Sequence, residues 1–149
     1  MPTSAFYDTD IDVWCAEQAS ALRAGAGAGA DPDTRHLADE FEGMRTRDRA
    51  ALASHLEGLL CALLVRHCRP AAGADLDWTL TVTRDRDIVI DLLDNSQTLR
   101  RELPALVERL YPAARHCAAA RGHLREDDLP PVAPWSAERL LDPDVIGLG

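Results

Sequence analysis

One stretch of this sequence, residues 49–68, concentrates apolar side chains as no other part of the chain does. Its leucines recur every three or four residues, which places them on one wide stripe of an α-helix. They are Leu52, Leu56, Leu59, Leu60, Leu63 and Leu64. Small residues on another face, including Gly58 and Ala62, would let a neighbouring helix approach closely. We therefore predict a helix from Arg49 to Cys68, buried on more than one side and ended by Pro70.

Size and composition fit a helical architecture around this segment. The chain has 149 residues, of which 46% are hydrophobic and only 5% aromatic, while leucine and alanine are abundant. Such a chain is long and apolar enough to fold, and its composition favours helices over a sandwich or barrel. We predict an all-α fold: a single domain over residues 1–149, built as a bundle of about five helices with a proline-rich C-terminal segment.

The net charge of the chain limits the kinds of partner that it is expected to bind. The net charge is −9, which on average repels nucleic-acid backbones and anionic membranes, so neither is expected as a partner. Arginines 45, 47 and 49 alternate with Asp48 and predict a solvated, salt-bridged helix face. All basic residues are arginines, and abundant Ala, Arg, Gly and Asp indicate a GC-rich bacterial genome.

Other features predict a cytoplasmic location. The N-terminus lacks a secretory signal, and no stretch approaches the ~20 apolar residues that a membrane span needs. The four cysteines are Cys15, Cys61, Cys68 and Cys117. Cys61 and Cys68 share a helix face but lie ~10 Å apart along its axis, too far for a disulfide. A reduced protein is the simplest interpretation.

In the N-terminal half, residues 1–6 are predicted to be a flexible tail. Asp8 or Thr9 would cap a first helix that runs to about Arg23. Residues 25–30 form a predicted flexible Gly/Ala loop. A second helix begins at residues 31–33 and is predicted to break between Gly43 and Thr46, the alternative being an interior glycine tolerated at ~1 kcal/mol.

The C-terminal half holds one ambiguous stretch. Residues 78–90 alternate in polarity and are rich in β-branched side chains, which favours a hairpin, whereas a helical period also lines up Trp78, Val82 and Val89. A helix follows over residues 96–121, where Pro104 and Pro112 could start, kink or divide it. Residues 127–149 are predicted to be an extended segment with one short helix, Ser136–Leu141, capped by Ser136 and anchored by Trp135.

No constellation of residues predicts a catalytic, metal or cofactor site. Asp8, Asp10 and Asp12 resemble the start of a calcium loop, but the glycine and closing glutamate of that loop are missing, so helix capping is favoured. The dipeptides His67-Cys68 and His116-Cys117 lack zinc-ligand spacing, because neighbours on a helix point about 100° apart. We therefore predict no catalytic residue, no metal and no cofactor.

One cluster of side chains is a candidate interaction or cleft site. Tryptophan, glutamine and arginine side chains could line a groove between helices, and Glu40 could pair with Arg84 or Arg49. The candidate residues are Trp14, Gln18, Glu40, Trp78 and Arg84. The alternative interpretation is ordinary packing, because large aromatic side chains most often pack in the core or at its rim.

A series of short matches runs along nearly the whole chain. They are Tyr7-Asp8-Thr9-Asp10 with Trp14 and Gln18-Ala19; Asp39-Glu40 with Glu42; Leu59-Leu60 with Leu63-Leu64; Trp78, Thr81 and Arg84; Glu102-Leu103-Pro104 with Tyr111; and Pro134-Trp135 with Leu140-Leu141-Asp142-Pro143. In this order they resemble the bacterial domain-of-unknown-function family twenty-nine. The resemblance implies an all-helical cytoplasmic protein with no established activity, and it favours a helix over residues 78–90.

The function remains unknown at this level, and the sequence does not decide whether the protein is an enzyme. We expect a non-catalytic interaction or regulatory protein that self-associates or binds a protein partner through an exposed helix face. The alternative is a small enzyme with an acid/arginine cleft around Glu40 and Arg84 and an unknown substrate.

Overall fold

The computed structural model describes residues 10–26, 32–70 and 75–145. In these residues the chain forms five α-helices and no β-strand. The helices are α1 (Ile11–Ala26), α2 (Pro32–Cys68), α3 (Leu76–Asp94), α4 (Gln97–Gly122) and α5 (Ala137–Leu140). The all-α prediction is confirmed. The predicted tail over residues 1–6 and the predicted caps Asp8 and Thr9 lie outside the described residues. The predicted loop over 25–30 begins too early, because α1 continues to Ala26.

The chain divides into two compact units. Unit 1 holds the described residues up to Ala51 together with Leu92–Arg101. Unit 2 holds the described residues of Leu52–Asp91 and those from Glu102 onward. The long helices α2, α3 and α4 each contribute to both units. The interpretation of residues 1–149 as a single domain stays a prediction.

The leucine stripe of α2 is the core of unit 2. All six leucines are at most 1% exposed, as predicted for the central helix. α3 runs antiparallel to this part of α2, since His55 contacts Asp85 and Ala62 accepts a hydrogen bond from the indole of Trp78 at 3.0 Å. α4 runs parallel to it, because Cys61 contacts Cys117 and Arg69 donates to the carbonyl of Gly122 further on.

The predicted break between Gly43 and Thr46 is wrong, because α2 is continuous over 37 residues. An interior glycine weakens a helix by only about 1 kcal/mol, and the buried residues Ala38 and Leu52 on either side hold the helix against its neighbours. The structure therefore follows the alternative interpretation, in which Gly43 is tolerated inside the helix.

The two glycines of α2 predict opposite responses to alanine. A Cβ at Gly43 would meet nothing within 4 Å, so Gly43→Ala should raise the free energy of unfolding by about 0.5–1 kcal/mol. A Cβ at Gly58 would lie 2.9 Å from Oδ2 of Asp85, a buried carboxylate that His55 also contacts. Gly58→Ala should lower stability by about 1 kcal/mol. Urea unfolding followed by circular dichroism measures both changes in stability. Equal changes for the two variants would contradict the close approach of Asp85 to Gly58.

Residues 78–90 are helical, as the family resemblance indicated and the β-propensity did not. α3 buries Val82 and Val89, and these β-branched residues serve the core as well from a helix as from a strand. α4 also remains whole: Pro104 and Pro112 lie inside it on its exposed side and do not divide it. Each of these prolines leaves the carbonyl four positions before it without the usual N–H donor.

The C-terminal segment is held against α3 and α4. Ser136 caps α5 by accepting the backbone N–H of Arg139 at 3.2 Å, and Trp135 is 3% exposed, both as predicted. The buried guanidinium of Arg86 donates from Nε to the Leu140 carbonyl (3.0 Å) and from Nη2 to the Val145 carbonyl (2.7 Å). Burial lowers the pKa of Arg86, an effect that Asp142 and Asp87 oppose.

One carboxylate of unit 1 caps two helices. Oδ1 of Asp10 accepts the N–H groups of Asp12 and Val13 in the first turn of α1 and the hydroxyl of Ser96. Oδ2 accepts the N–H and hydroxyl of Thr98 at the start of α4, each at 2.8 Å. Burial opposes ionisation, but the hydrogen bonds from Thr98, Ser96 and Val13 outweigh it and hold the pKa of Asp10 below its ordinary value.

The three arginines of the predicted solvated helix face are not all solvated. Arg45 and Arg49, one turn apart on α2, both bind the buried carboxylate of Asp12 on α1. The expectation of a solvated face is therefore wrong for these two side chains, which are about one-third exposed or less. Arg47, by contrast, is exposed. The sequence pattern missed this because the partner carboxylate lies more than thirty positions away.

By length and composition alone, α2 is the one described helix that could cross a membrane. This differs from the expectation that no stretch reaches spanning length. The helix is long and leucine-rich enough to span a membrane despite a few charged residues. Of the apolar 18-residue stretch, 44% is buried inside the protein, and buried core helices can have the same length and composition. The expected absence of membrane association stays a prediction.

Candidate functional site

Unit 2 contains an apolar groove between α4 and the C-terminal segment, which we call the α4 groove. Its volume is about 560 Å³, within the range of sites that bind small molecules or side chains. One wall is α4 and the other is the segment over residues 131–138. The lining residues are Pro104, Val107, Glu108, Tyr111 and Pro112 from α4, and Pro131, Val132, Ala133, Trp135, Ser136, Ala137 and Glu138 from the segment.

Hydrogen bonds from α4 hold the second wall in place. The Tyr111 hydroxyl donates to the carbonyl of Pro130 at 2.6 Å, and Arg115 donates to the carbonyls of Glu126 and Leu129. The buried Trp135 ring packs edge-on against His67 of α2, with ring centroids 5.6 Å apart. Burial raises the pKa of Tyr111, and Arg115 opposes that effect, so the hydroxyl stays a donor. The groove is therefore preformed, with its two aromatic side chains fixed.

Two carboxylates line the groove, one on each wall. Among the residues that the structure describes, they are its only charged lining side chains, Glu108 and Glu138. Pro112 has no N–H, so the carbonyl of Glu108 lacks the donor that a helix normally supplies from four positions ahead. The indole N–H of Trp135 is buried without an acceptor among the described residues. An apolar ligand with a positive charge would meet two carboxylates here.

This groove is not predictable from the sequence pattern. Trp135 was expected to anchor the C-terminal segment and Tyr111 was one of the residues that carry the family resemblance, but nothing in the sequence joined them. The one available signal is proline: three of the lining residues are prolines, and proline leaves rigid, open backbone where it occurs. In the sequence, however, these prolines indicate only helix starts, kinks and turns.

Three residues of the predicted interaction cluster lie in unit 1. Trp14 is half-buried and packs edge-on against Phe41, with ring centroids 5.2 Å apart. Gln18, one turn further along α1, is half-buried too. Glu40 is exposed, and its carboxylate lies 3.6 Å from Nε2 of His36. It borders an open polar depression of about 250 Å³ with His36, Asp39, Gly43 and Arg47.

The other two residues of that cluster lie in unit 2. Trp78 is half-buried; its indole donates to the Ala62 carbonyl, and the guanidinium of Arg66 lies 5.8 Å from its ring centroid. Arg84 is 66% exposed and reaches Asp85 at 3.5 Å. These contacts give Trp78 a packing role. The binding role of the five residues, and the enzyme alternative built on Glu40 and Arg84, stay predictions.

Among residues 10–26, 32–70 and 75–145, no group of three or more His, Cys, Asp and Glu side chains is arranged to hold a metal ion. The two His-Cys dipeptides have other contacts. His67 packs on Trp135 and His116 pairs with Glu126, while Cys117 contacts Cys61.

Comparison with known proteins places the fold. The chain is similar to an α-helical protein of unknown function from Rhodospirillum rubrum, known from a crystal structure. The two share 23% sequence identity with a TM-score of 0.67, over 95% of this chain and 92% of that one. No curated protein matches. The sequence profile described as "Domain of unknown function DUF29" matches residues 6–146. With nearly its whole length matched, the chain belongs to the DUF29 family.

Proposed function

We propose that this protein is a non-catalytic interaction module whose α4 groove binds an apolar segment of a protein partner, flanked by basic residues. The observation that carries the proposal is the preformed apolar groove, whose charged lining residues in the described part of the chain are Glu108 and Glu138. The net charge of −9 favours the same kind of partner at longer range and disfavours nucleic acid. We propose the cytoplasm as its location, where the free thiols of the chain would stay reduced.

The groove suits a peptide better than a compact metabolite. Its walls offer apolar surface to side chains, and the carbonyl of Glu108, which Pro112 leaves without its usual helical donor, could accept a backbone N–H. A peptide carries such an N–H at every residue except proline. Val132, 72% exposed beside the groove, gives apolar area that a bound segment would cover.

A set of short synthetic peptides tests the proposal. The first alternates leucine with arginine, the second replaces arginine with glutamate, and the third replaces leucine with serine. Binding to the full chain is measured by isothermal calorimetry. We expect only the first peptide to bind well, and we expect added salt to weaken it because the rim charges are exposed.

Matched variants assign the binding to the groove. Val132→Ser should weaken the leucine–arginine peptide about tenfold through lost apolar contact, whereas Leu80→Ser, an exposed leucine elsewhere in unit 2, should not. Glu108→Gln and Glu138→Gln should each weaken it about threefold, and Asp127→Asn should have no effect. Equal affinity for all three peptides would reject the proposal. A concentration-dependent dimer that Val132→Ser disrupts would assign the groove to a second copy of the chain instead.

A further inference from the structure

Two thiols from distant parts of the sequence meet inside unit 2. The sulfur atoms of Cys61 on α2 and Cys117 on α4 lie 2.9 Å apart. A disulfide bond is about 2.05 Å long, so a movement of about 0.9 Å would bring the sulfurs to bonding distance. The other two cysteines, Cys15 and Cys68, are free thiols as well. The Cys61–Cys117 pair is independent of the α4 groove.

The packing around the pair holds the two helices together. Arg69 of α2 donates to the carbonyl of Gly122 on α4 at 2.6 Å. A Cβ added at Gly122 would lie 3.8 Å from a methyl group of Val65 on α2. Both cysteines lie inside long helices, so neither sulfur depends on a loop for its position. The two thiols therefore stay in contact without a conformational change.

The two sulfurs differ in access to solvent. Cys61 is 1% exposed, whereas Cys117 is half-exposed. Burial, with a further contribution from the Cys117 contact, raises the pKa of Cys61 to about 12. Arg121, one turn beyond Cys117, opposes this shift and provides a positive charge beside the pair. An oxidant from solvent would therefore meet Cys117 first, and Cys61 would act second.

We propose that Cys61 and Cys117 are an oxidisable pair that forms a reversible disulfide on reaction with a hydroperoxide. The Cys117 sulfur attacks one peroxide oxygen; the O–O bond breaks, a sulfenic acid forms on Cys117, and hydroxide leaves with the thiol proton as water. The Cys61 sulfur then attacks the Cys117 sulfur, the S–O bond breaks, and a second water leaves with the Cys61 proton. Two thiols are oxidised by two electrons, and hydrogen peroxide is reduced to two waters. A small dithiol reverses the change.

The disulfide would close a long loop that runs from α2 through α3 to α4. The two cysteines are 56 positions apart, and a bridge across a loop of that length restricts the unfolded chain strongly. We expect the midpoint of thermal unfolding to rise by about 10 °C on oxidation and to return after treatment with dithiothreitol. In the cytoplasm, such a bond would be transient.

The test uses the full chain and hydrogen peroxide. After oxidation, remaining thiols are alkylated and the protein is digested for mass spectrometry. We expect the loss of two hydrogen masses, a linked pair of peptides containing Cys61 and Cys117, and alkylation confined to Cys15 and Cys68. The Cys68→Ser variant, a matched control, should give the same linkage and the same rise in melting temperature.

Cys117→Ser is the decisive variant, because position 117 is half-exposed and a serine hydroxyl there can be solvated. It should lose both the linkage and the thermal shift. A free Cys61 beside a Cys117 that has gone on to sulfinic acid would overturn the proposal. So would a linkage between two copies of the chain, or a bridge that includes Cys15 or Cys68.

Discussion

Asp10→Ala is expected to lower the free energy of unfolding by about 3 kcal/mol, the largest effect that we predict for unit 1. The substitution removes five hydrogen bonds at once and leaves the starts of α1 and α4 without their shared cap. A helix cap alone contributes about 1 kcal/mol, and the buried hydroxyl of Ser96 and the part-buried donors of Thr98 would lose a charged acceptor as well. Urea unfolding monitored by circular dichroism measures the effect.

Asp94→Ala is the matched control. Asp94 is 60% exposed and pairs with Arg100 on the surface, so its removal should change stability by less than about 1 kcal/mol. If the two substitutions destabilise the protein equally, the double cap does not have the predicted importance.

Because the pKa of Asp10 is lowered, its contribution to the free energy of unfolding should depend on pH. An aspartate whose pKa is lower in the folded than in the unfolded protein stabilises the fold fully above its unfolded pKa, about 3.9. That contribution is lost as the pH falls through the lower folded value. The stability difference between the wild type and Asp10→Asn should therefore be constant near neutral pH and shrink below about pH 4.

Arg86→Met is expected to have the largest effect in unit 2, about 3 kcal/mol, and to release the end of the C-terminal segment. Methionine retains much of the apolar stem but cannot donate to the carbonyls of Leu140 and Val145. Hydrogen bonds from a charged donor contribute about 1.5–3 kcal/mol each, and both carbonyls would be left without this donor. The same variant should weaken peptide binding, because α5 forms part of the groove wall.

Limited trypsin digestion measures the release. Arg139 is exposed in α5, and we expect cleavage after it to become at least about tenfold faster when the segment opens more often. Arg84→Met is the control, because Arg84 lies two residues away on α3 with an exposed guanidinium. Equal cleavage of the two variants would show that Arg86 does not hold the segment.

The helices were predictable where a single local pattern determined them. The leucine stripe of α2 and the cap at Ser136 depend on residues close together in sequence, and both predictions are confirmed. The helix over residues 78–90 is different, because local propensity favoured a hairpin and only the family resemblance indicated α3. At Gly43 the local signal was misleading, since packing on both sides outweighs one glycine.

The candidate site was beyond the reach of local patterns. Val107 and Trp135 meet in the α4 groove across nearly thirty positions, and Cys61 meets Cys117 across 56. Helical spacing relates Cys61 only to Cys68, its neighbour on the same helix. Likewise, the partner of Arg45 and Arg49 is Asp12, on another helix. Contacts of this kind depend on which helix faces come together, and a single sequence does not specify that.

The shared cap at Asp10 has a consequence for anyone who divides the chain. Its carboxylate binds Ser96 and Thr98, which lie 86 and 88 positions away. A fragment that begins at Ile11 would retain the whole of α1. It would nevertheless lack the carboxylate that accepts hydrogen bonds at the start of α4. The usable N-terminal boundary is thus set by a residue whose partners are encoded in the second half of the sequence.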